Sequence, residues 1–304
     1  QMSAAAPESA FTVATRDVED HVLLAGQLDA ELKGTVGEDT DGNEFKSILH
    51  LWDRHLRLSE LDIASEAVAQ ADAANATTKG AVGIREWYGK SESYWKSKPA
   101  TYNAIMGEIP EIGDSDVQES SEFIEQARAV RGFGRGLALD CGAGIGRVSS
   151  DLLVRHFDRL DFVERNAEFA AKISERVGDS RRGQVYVSEL QDYTPERSYD
   201  AVWVQWVVGY LTDVHLVALL KRLASCLKPD GVLFVKENTP DNPDAAFLYD
   251  TDDSSVARSV PYFEAVFRHA GLRVLLRERQ KGFPDDMLPV FMWALVPDGR
   301  SGAK

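Results

Sequence analysis

From about residue 130 onward the chain alternates short apolar runs with stretches of helical period. Leu137–Cys141, Leu160–Glu164, Val185–Val187, Tyr199–Val204 and Val232–Lys236 read as strands. Amphipathic segments near 147–156, 167–178 and 213–227 lie between them. The last is the best marked: Thr212 is a cap, Leu216, Leu219, Leu223 and Leu227 line one face, and Pro229-Asp230-Gly231 ends it. This alternation predicts an α/β fold whose mainly parallel sheet is covered on both faces. Two further runs, Leu272–Arg279 and Val290–Val296, are joined by Gln280–Leu288, which has no helical pattern. They are therefore expected as an antiparallel pair at one side of the sheet.

The N-terminal part follows another rhythm. Phe45, Ile48, Trp52, Leu56 and Ile63 recur on one face of a predicted helix over 44–72, and 73–80 reads as a small, polar linker. Asp39, Asp41 and Asn43 imitate the start of a calcium loop, but Glu44 stands where glycine is needed and His50 where the bidentate Glu should be. A solvated turn is the expectation there. Residues 1–80 carry fifteen acids against six bases, so much of the net charge of -15 sits in this stretch. The boundaries expected are an acidic, partly helical extension over 1–80, a helical segment over 81–130, the α/β domain over 131–297 and a tail over 298–304.

Composition narrows the functional classes. With 44% apolar and 27% charged residues, the chain is neither disordered nor fibrous. No apolar run approaches the ~18 residues of a membrane span. Two cysteines, Cys141 and Cys226, are too few for a disulfide framework and fit a reducing compartment. The stretch Gln1–Ala6 lacks the basic and apolar regions of a signal peptide. A cytoplasmic or nuclear protein is expected, without membrane or nucleic acid as partner. The acidic balance suits a basic peptide instead.

The most informative string is Leu137-Ala-Leu-Asp140-Cys-Gly142-Ala-Gly144-Ile-Gly146-Arg147, a strand running through a glycine loop into a helix. Ligands bind at such a turn in doubly wound sheets, and glycines admit them close to the backbone. The dinucleotide spacing G-x-G-x-x-G fails, because the third glycine would fall on Arg147 or Ser149. Asp140 beside the loop would repel a pyrophosphate and suits the cationic end of a zwitterionic or sulfonium ligand. Glu164, at the end of the next strand, can accept both hydroxyls of a ribose.

These features resemble the class I S-adenosylmethionine-dependent methyltransferases. A closer resemblance rests on Leu139–Arg147, Leu190-Gln-Asp-Tyr-Thr-Pro195, Trp203-Val-Gln-Trp-Val-Val-Gly209 with Leu211-Thr-Asp213, and Asp253-Ser-Ser-Val-Ala-Arg258. With Tyr94-Trp95-Lys96 and Ile105-Met106-Gly107 upstream, these strings look like the eukaryotic protein N-terminal methyltransferases. The resemblance covers roughly 85–296. It implies a Rossmann-like methyltransferase domain over 131–297, with a seven-stranded, mainly parallel sheet and an antiparallel last strand, and an N-terminal helical segment over 81–130 that lids the substrate. It also implies methyl transfer from S-adenosyl-L-methionine, leaving S-adenosyl-L-homocysteine, to the free α-amino group of proteins beginning X-Pro-Lys or X-Pro-Arg.

By resemblance the cofactor cradle is Gly142, Gly144, Arg147, Glu164, Leu190, Gln191 and Gln205. Arg147 is suited to the cofactor carboxylate and Gln191 to the adenine. Asn238 is expected to orient the substrate amine, and Asp250 and Asp253 to hold it and take its proton. Their spacing of three would put both carboxylates on one helical face. Trp95, Trp206 and Ser255 are expected to line the peptide channel. One departure affects the chemistry: Tyr210 stands in Gly-Tyr-Leu-Thr-Asp where the family has histidine, and a phenol is a poor base at neutral pH. His215 is expected as an exposed helix residue. Leu288-Pro289 occupies a stretch where relatives carry Tyr-His. A small-molecule amine methyltransferase and a catalytically weak cofactor-binding protein are the alternatives.

Overall fold

The computed structural model describes residues 10–58 and 73–299, with side chains described for 17–58 and 83–299. Its N-terminal layer comprises α1 (Ala10–Leu32), β1 (Gly37–Asp39), β2 (Glu44–Phe45), α2 (Ile48–Leu56), α3 (Ala73–Ser97), α4 (Tyr102–Ile105) and α5 (Gly113–Arg131). Then follow β3 (Leu137–Cys141), α6 (Arg147–Asp151), β4 (Arg159–Glu164), α7 (Ala167–Arg176), β5 (Arg182–Val187), β6 (Tyr199–Gln205), α8 (Asp213–Ser225) and β7 (Leu227–Asn238). The chain ends in β8 (Phe247–Asp250), β9 (Ser255–Arg258), α9 (Val260–His269), β10 (Leu272–Arg279) and β11 (Val290–Pro297).

Seven strands form one sheet in the order β10-β11-β7-β6-β3-β4-β5. The five strands from β3 to β7 are parallel, and β11 runs antiparallel to both β7 and β10. The expected strands are all present, because each was an apolar run. β6, at the centre, is buried along its whole length, as a strand covered on both faces must be. Alternation along the strands divides the core. Leu139, Val163, Val202, Val204 and Leu233 face α1 to α3, α8 and α9, whereas Ala138, Phe162, Ala201, Trp203 and Phe234 face α5 to α7. Thr212 caps α8 by accepting from His215 N. Asn166 caps α7 in the same way.

The N-terminal expectations need correction. The helix expected over 44–72 begins later, at Ile48, and gives way at Arg57 in the left-handed region. Phe45 instead belongs to β2, and Ile63 lies outside the described residues. The stretch read as a linker, 73–80, is helical and opens α3. Its alanines favour helix over the loop that their small size suggests. Gly83 then lets α3 cross α2 closely, since a Cβ there would lie 2.5 Å from the Leu56 carbonyl oxygen.

The acidic extension is also bound into the fold. α1 packs on α3, α8 and α9. β1 and β2 join β8 and β9 in a second sheet of order β2-β1-β8-β9. The Asp39 carboxylate is taken up locally by the N–H groups of Asp41 and Asn43 and by the Asn43 amide. His215 is not an exposed helix residue. It bonds Tyr88 Oη at 2.6 Å and meets the His21 ring of α1 edge-on. Among the described residues, no helix is long and apolar enough to cross a membrane.

Candidate functional site

A cavity of about 360 Å³ opens at the carboxyl ends of β3, β4, β6 and β7, roofed by α3 and α4. Its floor is the glycine loop after β3. Gly142, Gly144 and Gly146 all have positive φ, at 74°, 56° and 82°. A side chain at Gly142 would collide with Val207, its Cβ 2.7 Å from Cγ2, so this turn requires glycine on steric as well as conformational grounds. Gly142 N and Ala143 N donate to Val163 O, and Gly144 N donates to Glu164 Oε2 at 2.8 Å. Glu164 also accepts from Asn166 N, and burial raises its carboxyl above the usual range.

Asp140 does not reach this cavity. It is buried beneath the loop, accepts from Ser149 Oγ at 2.6 Å, and burial pushes its carboxyl up to about 6. The ligand-facing role read from its position beside the loop is therefore withdrawn. Asp140 braces the turn from below.

Arg147 lies against the cavity wall with its guanidinium 5.5 Å from the Trp206 ring. Its Nη1 pairs with Asp116 Oδ2 at 2.7 Å, and Asp116 Oδ1 pairs with Lys236 at 2.5 Å. Burial alone would raise the Asp116 carboxyl, but Lys236 and Arg147 together hold it below the usual range. Gln205 joins this cluster, donating to Asp116 and accepting from Trp203 Nε1. Leu190 and Gln191 also line the cavity, and Arg222 staples their carbonyls. The Gln191 amide donates to Glu189.

At the other end, β6 leads into a strained corner. Trp206 has φ 52°, uncommon for a bulky residue, and its indole N–H is buried without a hydrogen-bond partner among the described residues. Glu237 fixes the corner by accepting from Val207 N and Val208 N, and burial pushes its carboxyl up to about 7. The turn presents Tyr210, whose hydroxyl donates to Asp253 Oδ2 at 2.9 Å. Asp253 Oδ1 accepts from Ser255 N. Burial raises the Asp253 carboxyl, the Asp250 charge adds to this, and the bonds from Ser255 and Tyr210 oppose it. Burial also drives the Tyr210 phenol well above its ordinary range, and the Asp253 charge reinforces it. Trp95 meets Tyr210 edge-on, and Asn238 closes the wall at the end of β7.

Twelve of the sequence-predicted site residues thus line one cavity, while Asp250 and Ser255 do not. The helical face expected for Asp250 and Asp253 is replaced by a hairpin turn between β8 and β9. Asp250 Oδ1 there accepts from Asp252 N, and Ser254 takes φ 60°. Sequence reasoning also missed Asp116, Lys236 and Glu237. Lys236 and Glu237 carried a signal, since adjacent charges inside an apolar strand must have partners. Asp116 carried none: an acid in the first turn of a polar helix ordinarily faces solvent.

The chain is similar to known methyltransferases. A family profile described as AdoMet dependent proline di-methyltransferase matches residues 84–296. The N-terminal Xaa-Pro-Lys N-methyltransferase 1-B of Xenopus laevis is 37% identical over 215 residues, covering 69% of this chain and 95% of its own. The alpha N-terminal protein methyltransferase 1 of Drosophila melanogaster is 40% identical over 72% of this chain and 80% of its own. A solved SAM-dependent methyltransferase from Leishmania major superposes with a TM-score of 0.72 at 30% identity, over 86% of this chain and 96% of that one.

Proposed function

The chain belongs to the AdoMet-dependent proline di-methyltransferase family, and from that premise we propose that it methylates the α-nitrogen of proteins beginning Xaa-Pro-Lys or Xaa-Pro-Arg. It is a transferase that uses S-adenosylmethionine. One observation carries the assignment of the site: the glycine loop with Glu164 and the hydrogen-bonded Tyr210–Asp253 pair line a single cavity.

The residues present fit the cofactor. The loop glycines leave the backbone open, and Arg147 Nε and Trp206 Nε1 are buried polar atoms of the lining without a hydrogen-bond partner among the described residues. Gly142, Gly144 and Glu164 would hold the ribose side, Leu190 and Gln191 the adenine, and Arg147 the carboxylate, with Gln205 behind Arg147. S-adenosylmethionine supplies, when bound, a methyl group on a sulfonium for transfer to nitrogen.

An ammonium has no lone pair, so the α-amine, with a reference pKa of about 7.7–8.0, must first lose a proton. Asp253 takes it. Tyr210 serves as a donor that holds Asp253 Oδ2 in place, since a phenol with a raised pKa is no base. Asn238 accepts from a remaining N–H and sets the direction of attack. Trp95 and Trp206 wall the channel with aromatic faces that tolerate the increasingly methylated ammonium. Asp250, outside the cavity, acts on Asp253 through its charge. Ser255 acts through its bond to Asp253.

Cytoplasmic or nuclear residence, a peptide partner and no nucleic acid complete the proposal, supported by the acidic charge and two buried free cysteines. Titration calorimetry tests the substrate assignment. A peptide starting Pro-Pro-Lys should bind the enzyme loaded with S-adenosylhomocysteine, and its α-acetylated form should bind far more weakly. Equal affinity for the two peptides would contradict it.

A further inference from the structure

The Tyr210–Asp253 hydrogen bond spans two separately built pieces of backbone, the turn after β6 and the β8–β9 hairpin. Each is tied to residues 37–56, ahead of the region matched by the family. On the hairpin side, β1 pairs in parallel with β8, with Gly37, Glu38 and Asp39 opposite Phe247, Leu248 and Tyr249. A two-stranded hairpin alone is marginal in water, so β1 supplies the third strand that stabilises it. The contact reaches the tip of the hairpin. Thr40 N donates to Tyr249 O at 2.9 Å, and Thr40 Oγ1 accepts from Thr251 N at 3.1 Å. Thr251 lies two residues before Asp253.

On the tyrosine side, Trp52 of α2 donates its indole N–H to Asp213 Oδ2 at 2.7 Å. Asp213 Oδ1 holds Arg258 Nε, and Arg258 Nη2 donates to Leu211 O at 2.7 Å. Trp52 also packs edge-on against Trp87, with ring centroids 5.0 Å apart. Trp87 Nε1 donates to Tyr210 O at 2.8 Å. The backbone of the Tyr210 turn is thus held by Arg258 and Trp87; Trp52 packs on Trp87 directly and reaches Arg258 through Asp213, which Tyr262 Oη also holds.

We infer that residues 37–56 form a positioning clamp for the methyl-transfer site, with Thr40 fixing the hairpin of Asp253 and Trp52 fixing the turn of Tyr210. The inference rests on the proposed proton route through Asp253. It assigns the acidic N-terminal segment a part in turnover and none in cofactor binding, since the hydrogen bonds described for the clamp run to the loops of the Tyr210–Asp253 pair.

The test uses the full chain and four variants: Thr40→Val, Thr40→Ser, Trp52→Phe and Leu23→Ala. Leu23 is exposed on α1 of the same layer and serves as the control. Single-turnover methylation of an Xaa-Pro-Lys peptide is measured beside calorimetric affinity for S-adenosylhomocysteine. Loss of a hydrogen bond at each attachment should slow Thr40→Val about fivefold and Trp52→Phe about tenfold. Affinity for S-adenosylhomocysteine should stay within about twofold in both. Thr40→Ser, which keeps the hydroxyl, should recover the rate, and Leu23→Ala should match wild type. If Trp52→Phe fails to fold, the Thr40 pair decides alone, because that hydroxyl is exposed. Wild-type rates in Thr40→Val would overturn the clamp, as would parallel loss of rate and cofactor affinity. A wild-type chain that binds S-adenosylhomocysteine but methylates no N-terminal peptide would remove the parent reading, and the clamp with it.

Discussion

Replacing Asp253 by asparagine isolates the proton route. Asp253 Oδ1 accepts from Ser255 N, so the asparagine oxygen must take that position and its NH2 must face Tyr210. The phenol, which donates to Oδ2 in the wild type, then has to turn its O–H away, and the group facing the amine cannot take a proton. Loss of a positioned general base costs roughly 10²- to 10⁴-fold, or about 3–5 kcal/mol of barrier. Tyr210→Phe is milder. It removes one donor to a carboxylate, which should slow turnover about tenfold. It has a second signature: the Tyr210 bond opposes the raised pKa of Asp253, so losing it raises that pKa further. The acidic limb of the rate profile should then move to higher pH. The assay is single-turnover rate against pH, at saturating S-adenosylmethionine, with one Xaa-Pro-Lys peptide. Asp253→Asn within about threefold of wild type, with chemistry abolished in Tyr210→Phe, would rule out Asp253 as the base and send the proton through the phenol.

Other expectations follow from the same geometry. Glu164→Gln leaves Gly144 N or Asn166 N facing an amide NH2, so affinity for S-adenosylhomocysteine should fall about 10- to 100-fold by calorimetry. Gly142→Ala combines a left-handed backbone with a collision at Val207, so the urea midpoint should drop by the equivalent of about 1–3 kcal/mol. Glu237 is more basic in the folded chain, about 7 against 4.5, so its contribution is full below pH 4.5 and lost as pH rises through 7. Glu237→Gln keeps an acceptor for Val207 N and Val208 N but cannot ionise. Denaturation curves at pH 5 and 8 should therefore show a smaller stability loss in the variant than in wild type, by an amount on the order of 3 kcal/mol.

The sheet was legible because buried parallel strands are written as continuous apolar runs, and the glycine loop because its turn tolerates little else. The β8–β9 hairpin was not. Phe247–Asp250 and Ser255–Arg258 are four residues each, and the acids between them read equally well as a helix cap. β1 and β2 are shorter still, and pairing with a strand about 210 positions away leaves no periodic trace. Asp140 misled because its position beside the loop does not say which way its side chain points. The Arg147–Asp116–Lys236 cluster depends on partners that the fold alone brings together.

Mass spectrometry of three peptides decides whether the enzyme methylates the α-nitrogen of Xaa-Pro-Lys termini: one beginning Pro-Pro-Lys, its α-acetylated form, and one with the second proline replaced by glutamate. After incubation with enzyme and S-adenosylmethionine, the first should gain methyl groups confined to its α-nitrogen and the other two none. Methylation of the lysine side chain in the acetylated peptide, or equal turnover of the glutamate peptide, would contradict α-nitrogen specificity for Xaa-Pro-Lys termini.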